Sequence, residues 1–147
     1  MLSTLITKER IQLINNISDW ESSIDLLCKP LIYDGSIEKS YIDSIKATTK
    51  EIGPYYVLAP HIAMPHSRPE NGVNKNALAL LIVRNGVEFN SEENDPVKLL
   101  LLLAAKDSTQ HLELIQAIST FFCNEDDVSK VISAENIDDI IEVIKNY

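Results

Sequence analysis

The chain has 147 residues, of which 45% are hydrophobic and 24% are charged, and its formal net charge at pH 7 is -9. This length and balance predict one folded domain over residues 1–147 and exclude a disordered or low-complexity chain. A net negative charge repels a phosphate backbone, so we expect no nucleic-acid partner.

The longest apolar run, Leu99 to Ala105, is far shorter than the roughly 20 residues that a membrane-spanning helix needs. The N-terminus lacks the basic segment and cleavage site of a secretory signal, and the two cysteines lie far apart, at Cys28 and Cys123. We therefore expect a cytoplasmic protein.

The first third of the chain contains two amphipathic helical patterns. Apolar residues recur at helical spacing over residues 18–35, where Ser18 or Asp19 can cap the first turn. A second pattern covers residues 36–53 and ends at Gly53, which a proline follows. The two helices should form a hairpin.

The middle of the chain has the patterns of strands. The segments YYVLA (55–59) and HIAM (61–64) are typical of short strands, whereas residues 77–84 and 97–105 are apolar at every position or nearly so. Continuous apolar strands are expected where both faces of a sheet are covered. The dipeptide Asn85-Gly86 predicts a turn after the third of these segments.

Three helices should complete the chain, beginning near Ser108, Asn124 and Asn136. Together with the strands they predict an α/β fold, a three-layer sandwich in which a mixed sheet has helices on both faces. The helix near Ser108 has an apolar stripe that begins at His111.

A stiff loop between two prolines contains the strongest candidate for chemistry. Pro65 and Pro69 restrict their own backbone and that of the preceding residue, so His66 should lie at the tip of the HIAM strand with little freedom. A neutral imidazole can attack phosphorus or carbon and later leave again. The guanidinium of Arg68 suits phosphate oxygens. The alternative is an ordinary loop histidine.

His111 is the second candidate. It lies in the first turn of a helix that follows a buried strand, and ligands of α/β sheets bind at the carboxyl ends of strands. Free N–H groups at a helix start favour an anion. The alternative is a core histidine at the start of its helix.

The phrase GPYYVLAPHIAMPHSRPENGV, residues 53–73, together with HLELIQ from His111, closely resembles the enzyme IIA component of the bacterial sugar phosphotransferase system. The likeness is to the mannitol and fructose type, and within it to the ascorbate branch. It implies the mannitol-type IIA fold and a phosphotransferase without metal or cofactor. His66 would accept a phosphoryl group from phospho-HPr and pass it to a cysteine of enzyme IIB, which serves the membrane component IIC. His111 would steady the phosphate.

The same resemblance makes Ser67 and Arg68 candidate phosphate-binding residues, because Arg68 is typical of the ascorbate branch. His61 and Glu70 are candidate neighbours of the site, although an edge residue and an exposed loop acid are the simpler interpretations. The resemblance leaves a homodimer open.

Two rival functions are considered. A regulatory protein of the same fold would be phosphorylated at His66 but would control a partner protein instead of transport. A zinc-dependent hydrolase would use the three histidines as ligands. The odd spacing of His61 and His66 argues against zinc, because a continuous strand would direct them to opposite faces, roughly 16 Å apart at about 3.3 Å per residue.

Overall fold

A five-stranded mixed sheet forms the middle layer of the protein in the computed structural model, which describes Met1–Tyr147. The strands are β1 (Ile11–Ile14), β2 (Val57–Ala59), β3 (Ile62–Ala63), β4 (Ala77–Val87) and β5 (Val97–Ala104). Their order is β1-β4-β5-β3-β2. The pairs β1–β4 and β5–β3 are parallel, whereas β4–β5 and β3–β2 are antiparallel.

Helices cover both faces of this sheet. They are α1 (Leu2–Leu5), α2 (Trp20–Tyr33), α3 (Lys39–Ile52), α4 (Ser108–Phe122), α5 (Glu125–Ile132) and α6 (Ile137–Ile144), with short 3₁₀ helices at Lys8–Arg10 and Pro69–Asn71. The α2–α3 hairpin packs on one face, and α1 and α4 to α6 pack on the other. The predicted three-layer α/β sandwich is therefore confirmed. No helix combines the length and apolar character required to cross a bilayer.

The two central strands explain why their sequences are apolar at nearly every position. Leu80 and its β5 partner Leu101 face α1 and α4 to α6, whereas Leu81 and its partner Leu100 face the α2–α3 hairpin. All four side chains are fully buried. Burying one such side chain contributes about 1.5–3 kcal/mol, so these strands anchor both cores at once.

Four of the predicted helix starts agree with the structure. Asp19, Asp107, Asn124 and Asn136 each accept a hydrogen bond from a backbone N–H of the following turn, as N-cap side chains do. The start of α3 was predicted too early. The Ser36 carbonyl accepts hydrogen bonds from the loop near residue 74, and this pairing keeps residues 36–38 extended.

The predicted turn at Asn85-Gly86 was wrong, because β4 continues through it to Val87. The register with β5 shifts between Ile82 and Val87, which marks a bulge. Gly86 has a φ of 79°, and a Cβ there would lie 2.5 Å from the Pro96 side chain. Glycine is therefore needed here because β4 passes close to Pro96, just before β5, and not because the chain reverses.

The remaining differences concern short elements at the sheet edges. The N-terminal segment supplies the edge strand β1, for which no strand was predicted. Only Ile62 and Ala63 of HIAM pair as a strand, and Tyr55 and Tyr56 precede β2 in a turn. Strands this short are defined by their neighbours, because two paired residues carry no periodicity of their own.

Candidate active site

His66 lies just beyond β3, at the end of the sheet where β5 also finishes. The carbonyl of Pro65 accepts a hydrogen bond from the N–H of Leu103, 3.0 Å away, which ties the loop to the last residues of β5. Because β3 and β5 are parallel, their carboxyl ends meet there. After β5 ends at Ala104, a short turn leads directly into α4, which begins at Ser108.

The proton on the His66 ring can be assigned from its partner. Nδ1 lies 2.8 Å from the backbone carbonyl oxygen of Met64. A carbonyl oxygen only accepts hydrogen bonds, so Nδ1 carries the proton and Nε2 keeps its lone pair. Of the two ring nitrogens, Nε2 is therefore the nucleophilic one.

The His66–Ser67 peptide group is bonded at both of its polar atoms. The hydroxyl of Tyr55 donates to the carbonyl of His66, and the N–H of Ser67 donates to the hydroxyl oxygen of Tyr41, 2.9 Å away. The hydroxyl of Tyr41 in turn donates to the carbonyl of Leu103 at 2.6 Å. The backbone next to the candidate nucleophile is thus joined to both α3 and the sheet.

His111 lies next to His66. Their ring centroids are 5.3 Å apart, and the rings are inclined by 63°. Burial, and then the nearby His66, lower the pKa of His111 below its usual value of 6.5, so the ring is neutral at pH 7. Its Nδ1 atom is buried without a hydrogen-bond partner.

The start of α4 offers fewer free donors than predicted. The side chain of Asp107 accepts a hydrogen bond from the N–H of Gln110, and its backbone carbonyl accepts from the N–H of His111. The N–H groups of Ser108 and Thr109 have no protein partner. The carboxylate of Asp107 also offsets part of the positive end of the helix dipole.

An open cleft of about 350 Å³ joins these groups. It is lined by residues of α3, the turn before β2, the 64–72 loop and the start of α4, namely Thr48, Ile52, Tyr55, His66, Ser67, Arg68, Pro69, Asn71, Ser108 and His111. No carboxylate lines it, although the protein as a whole is strongly acidic. Arg68 is exposed and forms neither an ion pair nor a side-chain hydrogen bond. The cleft therefore combines one free cation with two histidines.

Ser67 lies in the cleft, but its hydroxyl is already bonded. It is 2.6 Å from the hydroxyl of Ser44 on α3, and both hydroxyls accept hydrogen bonds from the side-chain amide of Asn71 at 3.0 Å. A phosphate oxygen would have to compete with these contacts. The geometry therefore gives Ser67 a part in holding the loop to α3.

The loop is also held at its far end. The carbonyl of Gly72 accepts a hydrogen bond from the N–H of Glu38 at 2.8 Å, next to the start of α3. Gly72 has a φ of 137°, and a Cβ would lie 2.6 Å from the Ser40 hydroxyl and 2.9 Å from the Tyr41 nitrogen. Only glycine fits this contact without displacement.

Two sequence candidates lie outside the cleft. His61 occupies the turn before β3 with a φ of 72°, and its Nδ1 is 2.7 Å from the carbonyl oxygen of Pro96. Pro96 precedes β5, so His61 is at the opposite end of the sheet and does not flank His66. Glu70 is exposed in the 3₁₀ turn and does not line the cleft. The three histidines thus do not converge, and no group of three His, Cys, Asp or Glu residues is arranged for a metal ion.

Sequence reasoning missed several residues that shape the cleft. Tyr41, Thr48, Tyr55 and Asn71 were not predicted to belong to the site. Several of their contacts join distant parts of the chain, such as Tyr41 with Ser67, 26 positions apart, and Asn71 with Ser44, 27 positions apart. A local sequence pattern contains no signal for such contacts.

Comparisons with known proteins show the family and the fold of the chain. The family described as "Phosphoenolpyruvate-dependent sugar phosphotransferase system, EIIA 2" matches residues 4–147. The mannitol-specific cryptic phosphotransferase enzyme IIA component of Escherichia coli is 36% identical over 143 residues, with 97% of each chain covered. The solution structure of that type of enzyme IIA from Escherichia coli has a TM-score of 0.93 at 35% identity and covers 99% of both chains.

Two further relatives extend the comparison. The ascorbate-specific PTS system EIIA component of Shigella boydii is 32% identical over 142 residues, which is 96% of this chain and 92% of that protein. A complex of enzyme IIAMTL with phosphorylated enzyme IIBMTL from Escherichia coli matches with a TM-score of 0.83 over 97% of this chain and 100% of that one. Its identity of 23% supports the fold alone.

The family match extends over nearly the whole chain, and His66 and His111 meet in one cleft at the carboxyl end of the sheet. The chain belongs to the EIIA 2 family of the phosphoenolpyruvate-dependent sugar phosphotransferase system and is a phosphotransferase component of that system.

Proposed function

We propose that this protein accepts a phosphoryl group from phospho-HPr on Nε2 of His66 and passes it to a cysteine of an enzyme IIB partner. The observation that carries the proposal is the hydrogen bond between His66 Nδ1 and the Met64 carbonyl, 2.8 Å long, beside a cleft that contains Arg68 and no carboxylate. This bond leaves Nε2 as the free nucleophile.

The proposed transfer needs no external acid or base. The lone pair of His66 Nε2 forms the new N–P bond while the N–P bond to the donor histidine breaks, and the donor keeps that electron pair. The proton remains bonded to Nδ1 throughout, and Nδ1 keeps donating it to the Met64 carbonyl. In the second step a thiolate attacks phosphorus and His66 leaves as the neutral imidazole it was before.

Arg68 and His111 are proposed to stabilise the phosphoryl oxygens. Arg68 has no competing partner in the protein, so its donors are free for phosphate. The buried Nδ1 of His111 lacks a partner, and an unpartnered N–H is costlier to bury than an unpartnered acceptor. The neutral ring should therefore carry its proton on Nε2, where it can donate to a phosphoryl oxygen.

The acidic surface does not prevent this reaction. Exposed charges more than about 10 Å apart are largely screened at ordinary ionic strength. Each hydrogen bond to a charged group contributes about 1.5–3 kcal/mol. Local donors in the cleft should therefore outweigh the net charge of -9.

We propose ascorbate as the carbohydrate. It would be transported through a membrane component IIC that enzyme IIB serves, and the protein itself would act in the cytoplasm. The Ser67-Arg68 pair after His66 and the 32% identity to an ascorbate-specific relative support it. A mannitol-specific relative has 36% identity. Uptake assays should therefore supply both carbohydrates to cells that lack this gene.

The proposal is tested by phosphorylation from phosphoenolpyruvate, enzyme I and HPr in vitro. His66→Ala should abolish labelling, and ³¹P NMR of the wild type should give the signal of Nε2-phosphohistidine. His61→Asn is the matched control, because it removes a histidine at the other end of the sheet and asparagine tolerates a positive φ. Full labelling of the His66 variant, or an Nδ1-phosphohistidine, would overturn the assignment.

Onward transfer separates transport from the regulatory alternative. A transport component loses its label to the cysteine of enzyme IIB, whereas a regulator retains it or returns it to HPr.

Light scattering on the same phosphorylated and unphosphorylated samples measures whether the protein forms the homodimer that the sequence left open.

A further inference from the structure

The peptide group between His66 and Ser67 has an unusual pair of partners. Its carbonyl accepts a hydrogen bond from the hydroxyl of Tyr55, and its N–H donates to the hydroxyl oxygen of Tyr41, 2.9 Å away. These two atoms belong to one rigid peptide plane. Two tyrosines from different segments therefore hold the plane that directly follows the candidate nucleophile.

Tyr41 connects this plane to the sheet. The side chain is fully buried, and its single hydroxyl proton is directed to the carbonyl of Leu103 at 2.6 Å. The hydroxyl oxygen is then free to accept from Ser67, so both roles follow from the presence of one proton. Leu103 is also the residue whose N–H holds Pro65. The same end of β5 thus fixes the backbone on both sides of His66.

Tyr55 acts from the solvent side. The residue is 38% exposed and lines the cleft. Its ring meets the imidazole of His66 edge-on, with centroids 5.5 Å apart and planes inclined by 89°. Partial burial raises the pKa of Tyr55 above its usual value of 10, so its hydroxyl remains a donor throughout the neutral range. Tyr55 therefore contacts both the backbone and the ring of His66.

These contacts determine the direction of the ring. Pro65 restricts the backbone before His66, and the two tyrosines restrict the rotation after it. The hydrogen bond from Nδ1 to the Met64 carbonyl lies within the segment that these contacts hold. Releasing the 66–67 peptide plane would let the imidazole ring turn. It would also lower the population of the Nδ1–H tautomer, the form in which Nε2 is unprotonated.

We propose that Tyr55 and Tyr41 are positioning residues, which orient the imidazole of His66 and maintain its Nδ1–H tautomer by holding the His66–Ser67 peptide group. This inference rests on the proposed function of His66 as phosphoryl acceptor. It assigns to the tyrosines no contact with the phosphoryl group itself.

Tyr55→Phe is the decisive variant, because it keeps the ring and removes only a hydroxyl near the surface. Single-turnover labelling by saturating phospho-HPr should slow by roughly 10-fold, since small misplacements of a reacting group cost up to about 100-fold. The donor concentration at half-maximal rate should stay within about twofold. Tyr41→Phe should slow the same step. Tyr33→Phe is the matched control, since Tyr33 is 93% exposed and makes no side-chain hydrogen bond.

The tautomer gives a second readout that a merely structural role would not change. In ¹⁵N-edited NMR of unphosphorylated protein, His66 of the wild type should have a protonated Nδ1, and Tyr55→Phe should shift population toward the Nε2–H form. A wild-type rate and an unchanged ¹⁵N pattern in Tyr55→Phe would overturn the inference. If wild-type His66 accepts no phosphoryl group, the proposed function fails, while the ¹⁵N comparison still decides the positioning of the ring.

Discussion

Arg68→Ala is the sharpest test of how the cleft handles negative charge. The guanidinium lines the cleft with His66 and His111, yet it makes no ion pair and no hydrogen bond with the protein. Removing it should therefore leave the folded state nearly unchanged, within about 0.5 kcal/mol of the wild-type free energy of unfolding. Its whole effect should appear when a phosphoryl group enters the cleft.

The expected size follows from the contact that would be lost. A hydrogen bond to a charged group contributes about 1.5–3 kcal/mol, which corresponds to a factor of roughly 10 to 150 in rate. Arg68 is exposed, and water screens part of such an interaction. We therefore expect labelling by phospho-HPr to slow by about 10-fold. The labelling rate of Arg68→Lys should lie between those of the wild type and Arg68→Ala, because lysine keeps the charge but lacks the planar guanidinium fork.

The assay is rapid-quench labelling at saturating phospho-HPr, combined with urea unfolding. Arg84→Ala provides the matched control, because it removes the same charge near the far end of β4. Arg84 donates to the carbonyl of Glu135 at 2.7 Å and to the side chain of Asn15 at 3.0 Å, so its loss should reduce stability and leave labelling unchanged. Equal labelling rates for the two alanine variants would refute a local role for Arg68.

Three further predictions follow from the same geometry. His111→Gln should still be labelled on His66, but onward transfer to enzyme IIB should slow by roughly 10-fold, as for loss of one donor to the phosphoryl oxygens; an unchanged transfer rate would argue against that contact. The folded state lowers the pKa of His111 below 6.5, so the unfolded chain binds this proton first, and the free energy of unfolding should fall as the pH drops below about 6.5. His111→Gln should flatten this part of the stability profile, measured by urea unfolding from pH 5 to 7.5. Gly72→Ala should lower the free energy of unfolding by about 1–3 kcal/mol, because its Cβ would lie 2.6 Å from the Ser40 hydroxyl at a φ of 137°; an unaltered urea midpoint would contradict the strain.

The candidate site was partly predictable because some of its residues are marked locally. Pro65 and Pro69 restrict the backbone regardless of the rest of the chain, so His66 and Arg68 could be expected in one stiff loop. His111 could be expected at a helix start after a buried strand. Their proximity follows from the rule that carboxyl ends of parallel strands share one edge, and the 5.3 Å between the rings agrees with it.

Other features required the folded chain. His61 precedes the same strand as His66, but a turn with a positive φ and the contact to Pro96 place it at the opposite end of the sheet. Ser67 has the right side chain for a phosphate donor, yet Asn71 already occupies its hydroxyl. Neither fact has a signal in a short window of sequence, because each depends on a partner from another segment.

The sequence by itself determined the layers of the fold and the chemical groups available for reaction. Apolar strands such as Ala77–Val87 demand cover on both faces, and a proline-bounded histidine has few conformations, so both follow from local rules. Only the tertiary structure decided which nitrogen of His66 is free, which residues hold its backbone, and which charges surround it. The contact of His66 with Met64 is short in sequence but needs the folded backbone. The other two properties depend on contacts between distant segments, such as the hydrogen bond of Ser67 with Tyr41, which form only when packing brings the segments together.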